Sequence, residues 1–562
     1  METTLLSPVM LWRDFNATEP LKETIIGNET YRDFVYSDVY FSGRETSDGR
    51  VRVYGILAKN RLAGKKANRS AILILPDADQ SVNLETINIY VEQGYTVLMI
   101  DYRGEWDGVD NYTKYPESVA YANYKKAIEA IDTVPKTAKE TCWYEWAAVA
   151  KYAVSFLSAQ PDIDNIGVLG IRNGANVGWI LCGTDARVNC FVPLFGMGWR
   201  AYKGIFKQSQ EDLKPDDEKL KYLAGVDAHA YAQYVKCPVF YMTATNSPEF
   251  DFDRATDTIS RISKETDCFV NYAPRLKDVL DKNCRRNADL FFAKYLLGFR
   301  AVLPLEPTLT ASVFEGVLSC DVELDVSEIK RPKNVTFYVA EDSVNPSYRE
   351  WKIIQSEKSV RENKRTYTYN LEGNCEFISM FAVCEYRSGI TVSSKVVIKK
   401  AAHAMDKPKR LLYSTKDKVS TFAPSRTKEK AAGGLFFEDE GAVSYLEGGS
   451  GISGLCSPYG LVTHSVNSRD ISLTDNSMFV FDVYTEEFCL LKVVLMAQKD
   501  ELTTVDYTAV VEIKGGFIWQ NITIKASDFK SDLRISLKDF SKVCGIRFET
   551  ETKCVFNNLL VI

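Results

Sequence analysis

Six short apolar runs punctuate the first 300 residues: Ala71–Leu75, Thr96–Ile100, Ile166–Leu169, Cys190–Leu194, Pro238–Thr243 and Cys268–Tyr272. Runs of this length without polar alternation read as strands covered on both faces, as in a parallel sheet. Helical patterns lie between them. Leu84–Gln93 ends at Gly94, a C-terminal glycine. Trp143–Gln160 repeats apolar residues at Trp146, Ala150, Val154 and Leu157 and stops before Pro161. A helix over Asn287–Leu297 closes the series. Strand and helix in this rhythm predict a doubly wound α/β domain over residues 1–303.

After Pro304 the helical period disappears. Ala311–Leu318, Asn334–Ala340, Thr366–Leu371, Glu376–Cys384 and Lys395–Lys399 are β-branched, aromatic or alternating, with turn residues between them. They predict a β-sandwich of about the immunoglobulin or fibronectin size over 304–400. A Lys- and Pro-bearing linker is expected over 401–432. Residues 433–562 are β-rich again, from Phe479–Tyr484 to Val555–Val561, and predict a larger sandwich of jelly-roll type. Several domains are in keeping with 562 residues, since a single core rarely grows past ~250–300.

The formal net charge of -6 argues against nucleic acid as partner, because phosphate binding needs a concentrated basic face. The basic run Lys407–Lys430 reads as solvated linker. No apolar stretch reaches the ~18 residues a membrane span needs. Met1–Trp12 has no basic segment ahead of its apolar patch, so no secretion signal is expected. Thirteen cysteines without a C-x-x-C pair fit reduced thiols in a cytoplasm. Cys182 and Cys190 read as small core residues. No clustered Cys or His suggests a metal site, and no cofactor is predicted.

The stretch Ile166-Gly167-Val168-Leu169-Gly170-Ile171-Arg172-Asn173-Gly174-Ala175 carries the functional information. A strand runs into Gly170, one residue takes a sharp turn, and a helix begins near Gly174. This is the shape of a nucleophile elbow, G-x-S-x-G, with arginine at its centre. The stretch resembles the elbow of α/β-hydrolases of the acetyl xylan esterase and dienelactone hydrolase group. Ile163–Ile166, Gly183–Arg187, Val192–Gly196, Val53–Leu57 and Gly94–Val97 are similar to the flanking and early strands of that group. The resemblance covers most of residues 1–300 and continues into the 305–400 sandwich.

The resemblance implies a serine at position 172, an acid near 247 and a histidine near 275. This chain has Arg172, Ser247 and Arg275 there. Guanidinium has no lone pair with which to attack a carbonyl. Glu249, Asp251 and Asp253 lie close enough to shift the alignment of the acid. The turn that should supply oxyanion donors reads Pro76-Asp77-Ala78-Asp79-Gln80, with one donor lost to proline and two carboxylates added. Of three histidines only His229 falls in this domain, and it precedes the acid strand. His229 therefore reads as a packing residue near Tyr231 and Tyr234, although a triad is defined by geometry and not by order.

Three readings follow. Arg172 pairs with Asp77 or Asp79 and the domain is a degenerate scaffold. Alternatively, Arg172 and Arg275 form a cationic pocket at a helix N-terminus for a small anionic metabolite or sugar acid. In the third, hydrolysis of esters or acylated carbohydrates survives at a non-standard site, with Cys142 as a candidate nucleophile. The segment from Gly515 to Phe548 resembles the closing half of galactose-binding-like carbohydrate modules. That resemblance implies a carbohydrate ligand stacked on Trp519 or Tyr459, both of which read equally well as core residues.

Overall fold

The computed structural model describes residues 7–63, 69–209, 216–300, 303–324, 332–355, 363–404, 410–415, 420–425, 435–437 and 443–562. Its first part is built on a nine-stranded sheet. The strands are β1 (Thr24–Tyr31), β2 (Phe34–Glu45), β3 (Arg50–Asn60), β4 (Ser70–Leu75), β5 (Thr96–Asp101), β6 (Asn165–Ile171), β7 (Cys190–Leu194), β8 (Val239–Ala244) and β9 (Cys268–Ala273). Their order is β1-β2-β3-β5-β4-β6-β7-β8-β9. β1, β2 and β3 form an antiparallel meander joined antiparallel to β5, and every pairing from β5 to β9 is parallel. All six apolar runs in the sequence are strands of this parallel part.

Every residue of β4, β5, β7 and β8 is buried, which is why their sequences do not alternate. The helices Cys142–Ser158 and Asn173–Thr184 pack against each other and on the sheet. Thr141 caps the first by accepting from the Tyr144 N–H. The helix Lys282–Leu297 covers β6 through Phe292, whose ring meets Tyr90 of the helix Leu84–Val91 edge-on at 5.5 Å. Lys282–Leu297 begins a turn and a half before the apolar signal at Asn287, because Asp281 caps it from outside the periodic segment.

A three-stranded sheet (Thr308–Phe314, Val317–Glu323, Lys364–Asn370) and a five-stranded sheet built around Asn334–Glu341 and Cys375–Glu385 follow. The expected single strand Ala311–Leu318 is in fact a hairpin. Glu315 and Gly316 both have positive φ (47° and 75°) and form its two-residue turn. The remaining chain forms a six-stranded and a five-stranded sheet around a separate core that includes Phe481, Leu491, Val493 and Phe548. Burial alternates strictly along Met478–Thr485, as it does in a strand facing one core.

The expected linker 401–432 is in part structural. Leu411–Tyr413 pairs with Val555–Val561, and Ala423–Pro424 with Leu461–Thr463. Residues 405–409, 416–419 and 426–432 of that expectation lie outside the described residues. Among the described residues no helix is long and apolar enough to cross a membrane.

The sheet domain and the middle β-unit share one continuous core. Phe252, Tyr272, Trp351 and Phe381 meet edge-to-face at 4.5–5.9 Å across the boundary. Beside them Arg349 donates both Nη groups to Asp253, at 2.6 and 2.5 Å, with the two side chains 0% and 1% exposed. Arg349→Ala leaves Asp253 buried and unpaired, and is expected to cost about 3–5 kcal/mol in urea unfolding. The apolar double replacement Arg349→Met with Asp253→Leu should cost much less, because no charge is stranded.

Candidate functional site

β6 ends in the turn that the sequence forecasts. Arg172 sits at φ 50°, ψ -111°, a conformation rare for a side-chain-bearing residue, and the helix Asn173–Thr184 starts immediately after it. Its N–H donates to the Leu194 carbonyl (2.8 Å), and its own carbonyl accepts from Ala175 and Asn176 (3.0 and 3.2 Å). The strained corner depends on two close approaches. A Cβ on Gly170 would lie 2.5 Å from Ala175 Cα, and one on Gly174 would lie 2.1 Å from the Leu75 carbonyl oxygen.

The centre of the elbow is filled from within. Arg172 Nη1 stands 3.5 Å from Asp77 Oδ2, Nη2 donates to the Asp278 carbonyl (2.5 Å), and the guanidinium lies over the Phe195 ring. Asp77 is buried on the turn after β4, where Tyr102 Oη donates to the Pro76 carbonyl (2.6 Å). Asp77 Oδ1 accepts from the Ala78 N–H (2.8 Å) and the Asn173 N–H (3.3 Å). In a working elbow the N–H after the nucleophile and one from this neighbouring turn form the oxyanion hole. Here both donors already hold a carboxylate oxygen of the chain itself. Burial, reinforced by the nearby Asp79, pushes the Asp77 carboxyl up to about 6 against the pull of Arg172 and the two N–H donors. Asp79 itself is exposed.

The loops after β8 and β9, which the resemblance assigns to acid and histidine, point their bonds at the β-units. Ser247 is buried, and its neighbour Asn246 donates to the carbonyls of Arg349 (2.9 Å) and Ser347 (3.4 Å). Asp251 caps the helix Phe252–Ile259, and Asp253 is the partner of Arg349. Glu249 lines a small cavity with Trp199 and Arg254. Arg275, at φ 66°, donates through Nε (2.9 Å) and Nη2 (2.6 Å) to the Trp351 carbonyl. Arg172 and Arg275 are thus committed to different partners, and the cationic pocket expected of them is not assembled.

Lys277, Glu350 and His464 carry no sequence signal, yet they join all three parts of the chain. Lys277 Nζ lies 3.1 Å from His464 Nε2, and His464 Nδ1 lies 2.6 Å from the Cys544 carbonyl. Nδ1 therefore donates to the carbonyl and Nε2 accepts from the ammonium. Burial and the Lys277 charge hold His464 well below the usual imidazole range, so it stays neutral. Glu350 accepts from Thr463 Oγ1 and Ser465 Oγ (3.1 Å each) and from the His464 N–H.

The other candidates take structural places. The His229 ring stacks on Trp199 (4.9 Å) with Nδ1 2.9 Å from Asp227. Cys142 is buried at the start of its helix, and desolvation drives its thiol far above the normal range, away from nucleophilic chemistry. Trp519 donates to the Gly449 carbonyl (2.9 Å) and packs on Tyr484. Tyr459 is half-buried against the large core. Among the described residues no three His, Cys, Asp or Glu side chains group as metal ligands.

No family model and no curated protein matches the chain. Solved structures do. An acetyl xylan esterase from Paenibacillus sp. R4 is 13% identical with a TM-score of 0.40, covering 53% of this chain and 97% of its own. Acetyl xylan esterase 1 from Thermoanaerobacterium sp. JW/SL YS485 is 14% identical with a TM-score of 0.39, covering 54% and 96%. An esterase from Pyrococcus furiosus is 15% identical with a TM-score of 0.32, covering 48% and 98%.

Gly174→Ala is expected to lower the thermal midpoint, by at least the ~1–3 kcal/mol typical of overpacking, because the contact is with backbone and not a movable side chain. A pH test isolates Asp77. Its folded pKa lies above the ordinary value, so between about pH 4 and about pH 6 the folded chain holds a proton that the unfolded chain releases. Its contribution to stability is full below that window and is lost as pH rises through it. The urea midpoint of wild type relative to Asp77→Asn should therefore fall from pH 4 to pH 6 and stay flat above.

Proposed function

We propose that the chain is a catalytically degenerate protein of α/β-hydrolase type, without serine-esterase activity, that works by binding. The observation that carries this reading is the Asp77–Arg172 arrangement. A carboxylate oxygen accepts both backbone donors that an acyl-transfer intermediate would need, and a guanidinium replaces the nucleophile. Two further features support it. The loops after β8 and β9 spend their polar groups on the β-units through Asn246, Arg275 and Lys277. His229 and Cys142 are each held in packing roles.

The test is hydrolysis of p-nitrophenyl acetate and of an acetylated xylo-oligosaccharide by the full chain. Wild type and Arg172→Ser are both expected to show no turnover above buffer, the latter because a serine there would still face the Asp77 carboxylate and lack a base. Turnover in wild type that is lost in Arg172→Ala would overturn the reading and place Arg172 in an active mechanism.

A further inference from the structure

We propose that the cleft between the two β-units is a binding site for a neutral oligosaccharide, a reading that stands apart from the fate of the elbow. The cleft holds about 800 Å³ and is walled by Glu341, Glu350 and Lys352 of the middle unit and by Leu412, Arg469 and Asp470 of the C-terminal unit. That volume lies within the ~300–1,000 Å³ of small-ligand sites.

Its polar groups are numerous, and most are engaged with one another. Lys352 Nζ bridges Glu372 (2.7 Å) and Glu341 (3.7 Å). Arg469 bonds Asp342 and also Glu376 (2.6 Å). Asp470 accepts from the Asn374 N–H (3.3 Å) and side-chain amide, and Glu350 is held by three donors from the C-terminal unit. Glu341, Asp342 and Glu372 each have a cation beside them, Glu350 and Asp470 are held by neutral donors, and an anion would face all five carboxylates. Sugar hydroxyls both donate and accept, so a neutral polyol can use the remaining lone pairs and N–H groups of a fixed mixed lattice. Leu411, Leu412 and Ile471 supply apolar surface for the C–H faces of the rings.

The walls are held in place before any ligand arrives. Glu350 ties the middle unit to the C-terminal unit through Thr463 and Ser465, Asn345 Nδ2 donates to the Glu501 carbonyl (3.1 Å) between the same two units, and Lys277 holds His464 of the cleft wall from the sheet domain. Little ordering is left to oppose binding.

The experiment is calorimetric titration of the full chain with xylo-, cello- and galacto-oligosaccharides, with an oligogalacturonate as the charged comparator. At least one neutral oligosaccharide is expected to bind. Leu412→Trp, which fills the cleft, and Arg410→Ala, at an exposed position on its wall, should each weaken binding about tenfold or more. Trp519→Ala should leave it unchanged, and thermal midpoints verify that each variant is folded. Absence of binding by every neutral sugar, binding confined to the oligogalacturonate, or binding that resists both cleft variants would overturn the proposal. Esterase turnover in the same preparation would refute the degenerate reading without touching this one.

Discussion

Three consecutive residues hold the molecule together. Arg349 forms the fully buried ion pair with Asp253, Glu350 takes hydrogen bonds from the C-terminal unit, and the carbonyl of Trp351 receives the Arg275 guanidinium. An extended segment points successive groups in different directions, so one short stretch of the middle unit can grip both other bodies at once. Desolvating Arg349 and Asp253 is tolerable only when the two meet, so any displaced docking of the middle unit would strand two buried charges. The aromatic cluster around Phe252 and Trp351 then seals the position without adding any unsatisfied charge.

The elbow shows how a strained corner is held with an arginine at its apex. The positive φ at Arg172 and the contact of Gly174 with the Leu75 carbonyl are set by the crossing of strand and helix, not by the identity of the side chain at the apex. A buried carboxylate at the same spot would be costly alone. Two backbone donors and a guanidinium offset part of that cost, and the remainder appears as the raised Asp77 carboxyl.

Legibility in the sequence followed the physics of each part. The parallel strands were readable because burial on both faces leaves uninterrupted apolar runs, and the elbow was readable because close packing demands glycines at fixed spacing. β1 and β2 gave no such signal; β1 is exposed along nearly its whole length. The hairpin at Glu315-Gly316 was hidden inside a stretch that reads as one strand, since a two-residue turn barely interrupts the alternation. The interdomain contacts were invisible for another reason. Lys277 and His464 are 187 residues apart, and Arg349 and Asp253 are 96 apart, and no local pattern marks such a pair. Arg172 and Asp77 could be suspected only because the elbow fixes where both must stand.

The clamped loops give the architecture a direction. Here Asn246, Arg275 and Lys277 answer to carbonyls and rings on neighbouring units. A histidine placed at 275 would leave the Trp351 carbonyl unmet, and an acid at 247 would bring a carboxylate into a buried position. A change at Asn246, Arg275 or Lys277 would loosen a joint between units, so the loops after β8 and β9 serve the assembly as hinges pinned from the far side.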